Sequence, residues 1–402
     1  MRRAALLLLI ACVLATSAPA HARPYWKKRI DHISAGKRIG MVVHDEGRVL
    51  YQRAPKTKRA PASNEKLLMS MALFDRLAPR TTIETSAYAT SAPSLTGVIE
   101  GDLWITGRGD PSVTAGGPYA SSLPIRATDL SDLARGIAAT VTKIEGRVLG
   151  SRGYFARDWF AHGWESYFPA TEIALPTALT FNGNSAEGRH VSNPEWRAAR
   201  ALTRRLEALG VPVRGHPASG YMPASTTPVA AVQSEQLWRI VRYMNRSSSN
   251  FFAEVLGKRL GAETFGAPGS IAKGADAIEA FALDHNVTLA AYDASGLSYS
   301  NRVSPLGIVK LLTAVEETKP YYEVLRDGLP RGGEGTLEDR LHGVKLRAKT
   351  GSLRNVSALS GWVWLKKTQS WAAFSILSAG TSYYSSKGLE DRIVRLLTNY
   401  AR

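Results

Sequence analysis

The chain has 402 residues, a formal charge of +17 and one cysteine, with 44% apolar and 21% charged residues. This apolar content and the absence of a low-complexity tract exclude a disordered chain, and a lone cysteine excludes an internal disulfide. The charge suits an anionic partner polymer or equally a basic proteome and simple solubility, and none of the recognised nucleic-acid-binding motifs accompanies it.

Residues 1–22 read as a secretory signal peptide. Arg2 and Arg3 form a charged start, Ala4 to Thr16 is almost wholly apolar, and Ala20-His21-Ala22 is a small-x-small cleavage site. The apolar run falls short of the roughly 20 residues of a spanning helix, and no later segment is long and apolar enough to cross a bilayer. Cys12 lies inside this segment, where Leu9-Ile10-Ala11-Cys12 also resembles a lipidation box. The mature chain would then carry no thiol, which excludes thiolate catalysis, and a charge of +15 once Arg2 and Arg3 are gone. Its length, about 380 residues, exceeds what one core usually holds, so two domains are expected.

Ile39 to His44 and Arg48 to Gln52 are predicted strands around an Asp45-Glu46-Gly47 turn. Pro61-Ala62-Ser63 then leads into a predicted helix, Glu65 to Leu77. From 81 to 230 the texture changes to short β-like runs, Thr82 to Thr90, Val98 to Thr106 and Val141 to Gly150, with helices predicted at Asp129 to Ala139 and Asn193 to Leu209. Helical periodicity returns at Glu235 to Met244 and Phe251 to Leu260, separated by Asn245 to Asn250. Pro305 to Val315 and Leu389 to Tyr400 are predicted helices; Val344 to Ala348, Ala358 to Leu365 and Trp371 to Ser378 are predicted strands. The expected organisation is one α/β domain, residues 23–80 and 231–402, interrupted by an inserted β-rich domain at 81–230.

Three strings carry chemistry. In Ser63-Asn64-Glu65-Lys66 the hydroxyl and amine are three apart on a helix, roughly 5–6 Å between β-carbons, so they can touch. Lysine is a base only when neutral, which requires burial or nearby cations to lower a pKa of about 10.4. A helix start supplies N–H groups for an oxyanion. Taken alone, the string equally describes a helix cap with a solvated lysine. Ser34-x-x-Lys37 and Ser270-x-x-Lys273 match it too; the first is read as surface and the second as part of a Gly- and Pro-rich loop. Ser248-Ser249-Asn250, in a turn between helices, can aim a hydroxyl and an amide into one cleft, although both residue types also favour plain N-caps. Lys349-Thr350-Gly351 is placed at a strand end, where the glycine permits close backbone approach; a surface hairpin is the competing reading.

The three strings in this order and context resemble the motif set of penicillin-binding proteins and serine β-lactamases. The 181 residues between Lys66 and Ser248 narrow the resemblance to the D-alanyl-D-alanine carboxypeptidase/endopeptidase family, peptidase family S13, of the class C, penicillin-binding-protein-4-like type. Gly101-Asp102-Leu103, Gly109-Asp110-Pro111-Ser112, Ala178 to Asn184, Met244-Asn245, Asp293 to Ser298, Gly332 to Leu337 and Ser352-Leu353 resemble further family segments, and within them Arg108-Gly109-Asp110 reads as a structural turn. The resemblance implies a transpeptidase-like, β-lactamase-like domain with an antiparallel sheet flanked by helices. Ser63 would attack a D-Ala or β-lactam carbonyl. Lys66 would take its proton, and Ser248 with Lys349 would pass one to the leaving amine. Asn250 would orient Lys66 and substrate, and Lys349, Thr350, Gly351 and Ser352 would line the carboxylate site. The backbone N–H groups of Ser63 and Ser352 would form the oxyanion hole. Repulsion from Lys349 is expected to help keep Lys66 neutral.

The implied substrate is peptidoglycan, with β-lactams as inhibitors, no cofactor, no metal, no nucleic acid, and a periplasmic or cell-envelope location compatible with peripheral association. No sequence feature sets an oligomeric state. Two departures bear on specificity: the insertion is shorter than in the longest members, and Gly163-Trp164 is followed by Glu165, with Glu172 further on, where some relatives use other polar residues to bind the stem side chain. A serine β-lactamase and a non-catalytic peptidoglycan-binding protein are the alternatives; the first lacks a recognisable acid-bearing loop, and the second is disfavoured by three intact motifs.

Overall fold

The computed structural model describes residues 23–380 and 382–401. The expected signal segment, with Cys12, lies outside them. Among the described residues, no helix is long and apolar enough to cross a membrane.

Both ends of the chain build one sheet. Leu346–Leu353, Val356–Leu365 and Ser370–Ala379 run antiparallel, and Ile39–Asp45 joins Ser370–Ala379, with Arg48–Arg53 at the edge. Side chains alternate across this sheet, as a period of two requires. Val42, Ala358, Trp362, Ala373 and Leu377 enter one core; Met41, Val43, Leu359, Val363 and Phe374 enter the other. The second core is closed by helices Tyr25–Ser34 and Tyr383–Tyr400. The first packs helices Glu65–Arg76, Leu237–Ser247, Asn250–Phe265, Ile271–Asp284 and Pro305–Thr318. Residues 65 to 74 are all buried, Glu65, Lys66 and Ser70 among them, so this stretch of the helix has no solvent-facing stripe.

Residues between these elements form a second, mixed sheet in the order Ala218–Gly220, Val148–Ser151, Leu103–Gly107, Glu84–Ala89, Thr227–Gln233. Helices Leu130–Ala138 and Pro194–Ala208 share its core. Asp129 and Asn193 cap them by accepting the N–H of Ser131 and Trp196.

Several elements differ from expectation. The run Val98 to Thr106 breaks into Val98–Ile99 and Leu103–Gly107, and Val141 to Gly150 into Lys143–Ile144 and Val148–Ser151. The cause is a mutual approach of two glycines: Gly146 N–H donates to Gly101 O at 3.1 Å, and a β-carbon on Gly146 would lie 2.4 Å from that oxygen. Helix Leu237–Ser247 runs through the expected loop, leaving only Ser248 and Ser249 as a junction. Ser34 is no surface residue: it is fully buried at the end of helix Tyr25–Ser34, donating to Ile30 O. Ser270 is not in a loop interior but caps helix Ile271–Asp284 through the Lys273 N–H, while the Lys273 amine binds Gly266 O and Pro268 O.

Candidate active site

Ser63 sits in a single 3-10 turn, Ala62–Asn64, that runs directly into helix Glu65–Arg76. Its shape is imposed from outside. Ala62 has φ of 48°, a left-handed conformation uncommon for a residue with a β-carbon. Asn64 spends its amide on Lys349 O at 3.0 Å instead of capping the helix. Gly296, with φ of 82°, brings its backbone so close to Ala62 that a β-carbon there would lie 1.9 Å from Ala62 O. Gly351 packs against Pro61 O in the same manner, at 2.7 Å from an added β-carbon. The glycine of the third string therefore admits the chain's own serine turn. Its strand also continues to Leu353, so Lys349-Thr350-Gly351 lies within the strand and not at its end.

Lys66 is fully buried. Its amine donates to Ser63 Oγ at 3.1 Å, Asn250 Oδ1 at 2.8 Å and Ser295 O at 2.5 Å. An ammonium group uses all three donors here. Once neutral, the amine keeps two N–H bonds, to Asn250 and Ser295, and turns its lone pair to Ser63. Burial lowers the Lys66 pKa to about 8, against the opposing pull of Asp293, Glu254 and Glu65. The expected help from Lys349 is not among these causes. The repulsion falls on Lys349, which lies well below the ordinary lysine value through burial first, then Lys66, then Lys387.

Ser248 closes helix Leu237–Ser247 in a left-handed conformation, φ 57°, while Ser249 caps the next helix by accepting the Phe252 N–H. This abrupt junction turns Ser248 Oγ toward the Lys349 amine, which donates to it at 2.8 Å and to Thr350 O at 3.0 Å. Asn250 begins the second helix, and its amide also donates to Glu172 O at 3.2 Å. Ser63, Ser248, Thr350, Gly351 and Ser352 line one cavity of about 220 Å³. The structure thus brings the three strings together, and only one of the three Ser-x-x-Lys matches lies at this cavity.

Sequence reasoning did not assign several contributors. Thr336 accepts from Thr350 Oγ1 at 2.7 Å, and Arg340, Tyr383 and Lys387 complete the cavity wall. Lys387 donates to Gly351 O at 2.8 Å, and Arg340 pairs with Glu390 and Asp391. Behind Lys66, Asp293 accepts from Trp164 Nε1, Gly296 N, Ser298 N and Asn301 Nδ2. Glu254 accepts from Ala294 N and Ser295 N. The strings Asp293 to Ser298 and Gly332 to Leu337 signalled two of these places; Glu254, Arg340, Tyr383 and Lys387 had no motif. Among the described residues, no group of three or more His, Cys, Asp or Glu is placed to hold a metal ion.

A buried lysine touching a half-buried serine, faced by a second lysine–serine pair, is an arrangement for acyl transfer without histidine. The model of the D-Ala-D-Ala carboxypeptidase 3 (S13) family matches residues 28–187 and 174–400. The chain belongs to this family. It is 27% identical to the D-alanyl-D-alanine carboxypeptidase of Actinomadura sp. strain R39, over 90% of this chain and 81% of that protein. It is 29% identical to carboxypeptidase DacB of Mycolicibacterium smegmatis, over 79% and 71%. Its fold is similar to that of penicillin binding protein 4 from Haemophilus influenzae, with a TM-score of 0.78, 18% identity and coverage of 92% and 99%. As a member of the S13 family with a fold similar to that of penicillin binding protein 4, the chain is a carboxypeptidase-type hydrolase with an α/β fold.

Proposed function

We propose that this protein is a serine D-Ala-D-Ala carboxypeptidase and DD-endopeptidase that works through an acyl-enzyme on Ser63. The observation that carries this reading is the Lys66 Nζ to Ser63 Oγ contact of 3.1 Å at the floor of the cavity. Neutral Lys66 takes the Ser63 proton as Oγ attacks the carbonyl of the penultimate D-Ala. The N–H groups at the start of helix Glu65–Arg76 favour negative charge developing there. Ser248 gives its hydroxyl proton to the departing amine and is reprotonated by the Lys349 ammonium group that donates to it. Lys349, with Thr350 and Ser352, faces the terminal carboxylate, whose negative charge favours the cationic form of Lys349. Water then hydrolyses the ester.

A terminal D-Ala and a cross-link both present a D-Ala carbonyl, so one site serves both cleavages. A β-lactam presents an equivalent carbonyl and acylates Ser63; one solved structure of the Haemophilus influenzae protein is a complex with a β-lactam. The apolar N-terminal segment and small-residue cleavage site support export to the periplasm or cell envelope, where peptidoglycan is met.

Two experiments test this. Fluorescent penicillin should label the wild type and leave Ser63→Ala unlabelled; full labelling of the variant removes the assignment. Mass spectrometry of digested muropeptides should show loss of terminal D-Ala and conversion of dimers to monomers. Unchanged muropeptides after prolonged incubation refute the reading.

A further inference from the structure

A second cavity, about 340 Å³, opens on helix Pro194–Ala208, away from all three strings. Arg197, Arg200, Arg204 and Arg205 line it together with Ala201 and Phe181. The buried face of this helix, Ala198, Ala199, Leu202 and Leu206, enters the core of the second sheet, so the arginines occupy the opposite face. Arg197, Ala201 and Arg205 follow one i,i+4 row, and Arg200 and Arg204 the neighbouring one. The small Ala201 lies between Arg197 and Arg205, and Phe181 and Ala115 from outside the helix complete the concavity.

These cations are held but not neutralised. Arg197 donates to Ser185 O and Arg205 to Ala115 O, each at 2.7 Å, and Arg197 and Arg200 lie over the rings of Phe181 and Trp196. Among the described residues, none of the four arginines forms an ion pair. Glu195 of the same helix is turned inward to Arg157. The nearby carboxylates are Glu187, whose field acts on Arg197, and Glu207, one turn beyond Arg204. Like charges three and four apart on a helix repel, and a fork of guanidinium donors left unpaired matches a carboxylate oxygen pair.

The arginine face is also mechanically linked to the catalytic cleft. Ser185, which holds Arg197, belongs to the small hairpin Ser185–Ala186 and Arg189–His190. His190 Nδ1 bonds Pro169 O at 2.8 Å, Pro169 lies in the helical turn Phe168–Thr171, and the adjoining Glu172 accepts from Asn250.

We propose that this arginine face is a second substrate contact, which takes stem-peptide carboxylates of a peptidoglycan strand while another stem of the same polymer occupies the Ser63 cleft. The inference rests on the proposed function and adds a polymer-binding site to it. A cleft of about 220 Å³ grips one stem; carboxylates repeated along a strand allow two modest contacts to act as one.

The test compares wild type with Arg200→Gln/Arg204→Gln, since neither side chain makes a hydrogen bond that shapes the fold. Co-sedimentation with purified sacculi freed of phosphate polymers, at about 50 mM salt, should weaken roughly fivefold to tenfold in the variant. Its salt dependence should flatten, and Arg200→Glu/Arg204→Glu should lose more. Penicillin labelling of Ser63 reports an intact fold and cleft in each variant. Unchanged sedimentation of a labelled variant overturns the proposal. So does wild-type binding to soluble poly(glycerol phosphate) with none to the sacculi, which assigns the face to phosphate. Failure of the wild type to label or to release D-Ala refutes the functional reading instead, and the sedimentation result is read independently of it.

Discussion

Lys66 and Glu254 grip the same residue from opposite ends: the Lys66 amine donates to the Ser295 carbonyl at 2.5 Å, and Glu254 accepts the Ser295 N–H at 2.6 Å. The general base is therefore positioned through a backbone segment that a buried carboxyl group holds. The other Glu254 oxygen is buried without a hydrogen-bond partner. Burial, with Asp293 second, raises the Glu254 pKa to about 8, so this carboxyl is neutral at pH 7. Glutamine keeps an acceptor for the Ala294 and Ser295 N–H groups. Glu254→Gln should retain penicillin acylation within about threefold, whereas Glu254→Ala leaves two buried donors unpaired and should cost about 2–4 kcal/mol. Thermal unfolding and labelling rates of the two variants check this.

The same group predicts a pH dependence of stability. Glu254 binds a proton more tightly folded than unfolded, between the ordinary 4.5 and about 8. Its contribution is complete below the lower value and is lost as pH rises through the folded one. Lys66 has the opposite sense: its folded pKa, about 8, lies below the ordinary 10.5, so the cost of burying its charge is relieved as pH rises between them. Denaturant midpoints should decline from acid pH toward pH 8, and Glu254→Gln should flatten that decline.

Acylation should follow the neutral fraction of Lys66. With a pKa of about 8, the second-order rate of penicillin acylation should rise nearly tenfold per unit at lower pH and level off above about 8. Lys66→Arg retains a donor but no accessible lone pair, and should lower the rate by about 10³-fold or more at every pH. Stopped-flow or quenched labelling across pH is the measurement, and a flat profile in the wild type excludes Lys66 as the titrating base.

Asn250 has two obligations, one to Lys66 and one to Glu172 O. Asn250→Ala releases the amine from one of its two orienting acceptors and removes one of the hydrogen bonds that hold the 161–172 region against the cleft. Acylation should fall about 10²-fold, and Asn250→Asp should depart from this by raising the Lys66 pKa, moving the pH profile to higher values. Comparing the profiles of the two variants separates orientation from charge.

Much of this was legible in the sequence because it is local. A hydroxyl and an amine three apart on a helix need only the helix, and the apolar runs at 358–365 and 371–378 suffice to predict neighbouring strands. Ser248 needed a turn between two periodic stretches. What escaped is non-local or lacks periodic contrast. Residues 252–262 are all buried, so no polar face marks Glu254 as different from a solvated acid. Lys387 reaches Gly351 across 36 positions, from a helix whose start the periodicity placed at Leu389 instead of Tyr383. The helices at Tyr25–Ser34 and Ile271–Asp284 were missed because flanking Pro, Gly and Ser residues outweighed their periodicity.

Gly296 tests how far the serine turn depends on its surroundings. It belongs to neither the nucleophile nor a cation, and it was legible only as part of the string Asp293 to Ser298. Its φ of 82° disfavours any side chain, and a β-carbon would lie 1.9 Å from Ala62 O and 2.9 Å from Ser63 N. Alanine must therefore push the Ser63 turn or the Asp293–Ser298 loop aside. The loop is fixed by Asp293 and Glu254 hydrogen bonds, and the turn by Asn64 on Lys349 O, so neither gives way without losing buried bonds. Gly296→Ala should cost about 2–4 kcal/mol and slow acylation at least about 10²-fold, because roughly 1 Å of misplacement at the nucleophile is enough. Gly343→Ala provides the contrast: it too has a positive φ, 71°, but nothing lies within 4 Å of an added β-carbon. It should lower the melting temperature by the backbone cost alone and leave the acylation rate unchanged. Equal rate losses in the two variants would show that positive φ, and not the contact with Ala62, is what the site requires of Gly296.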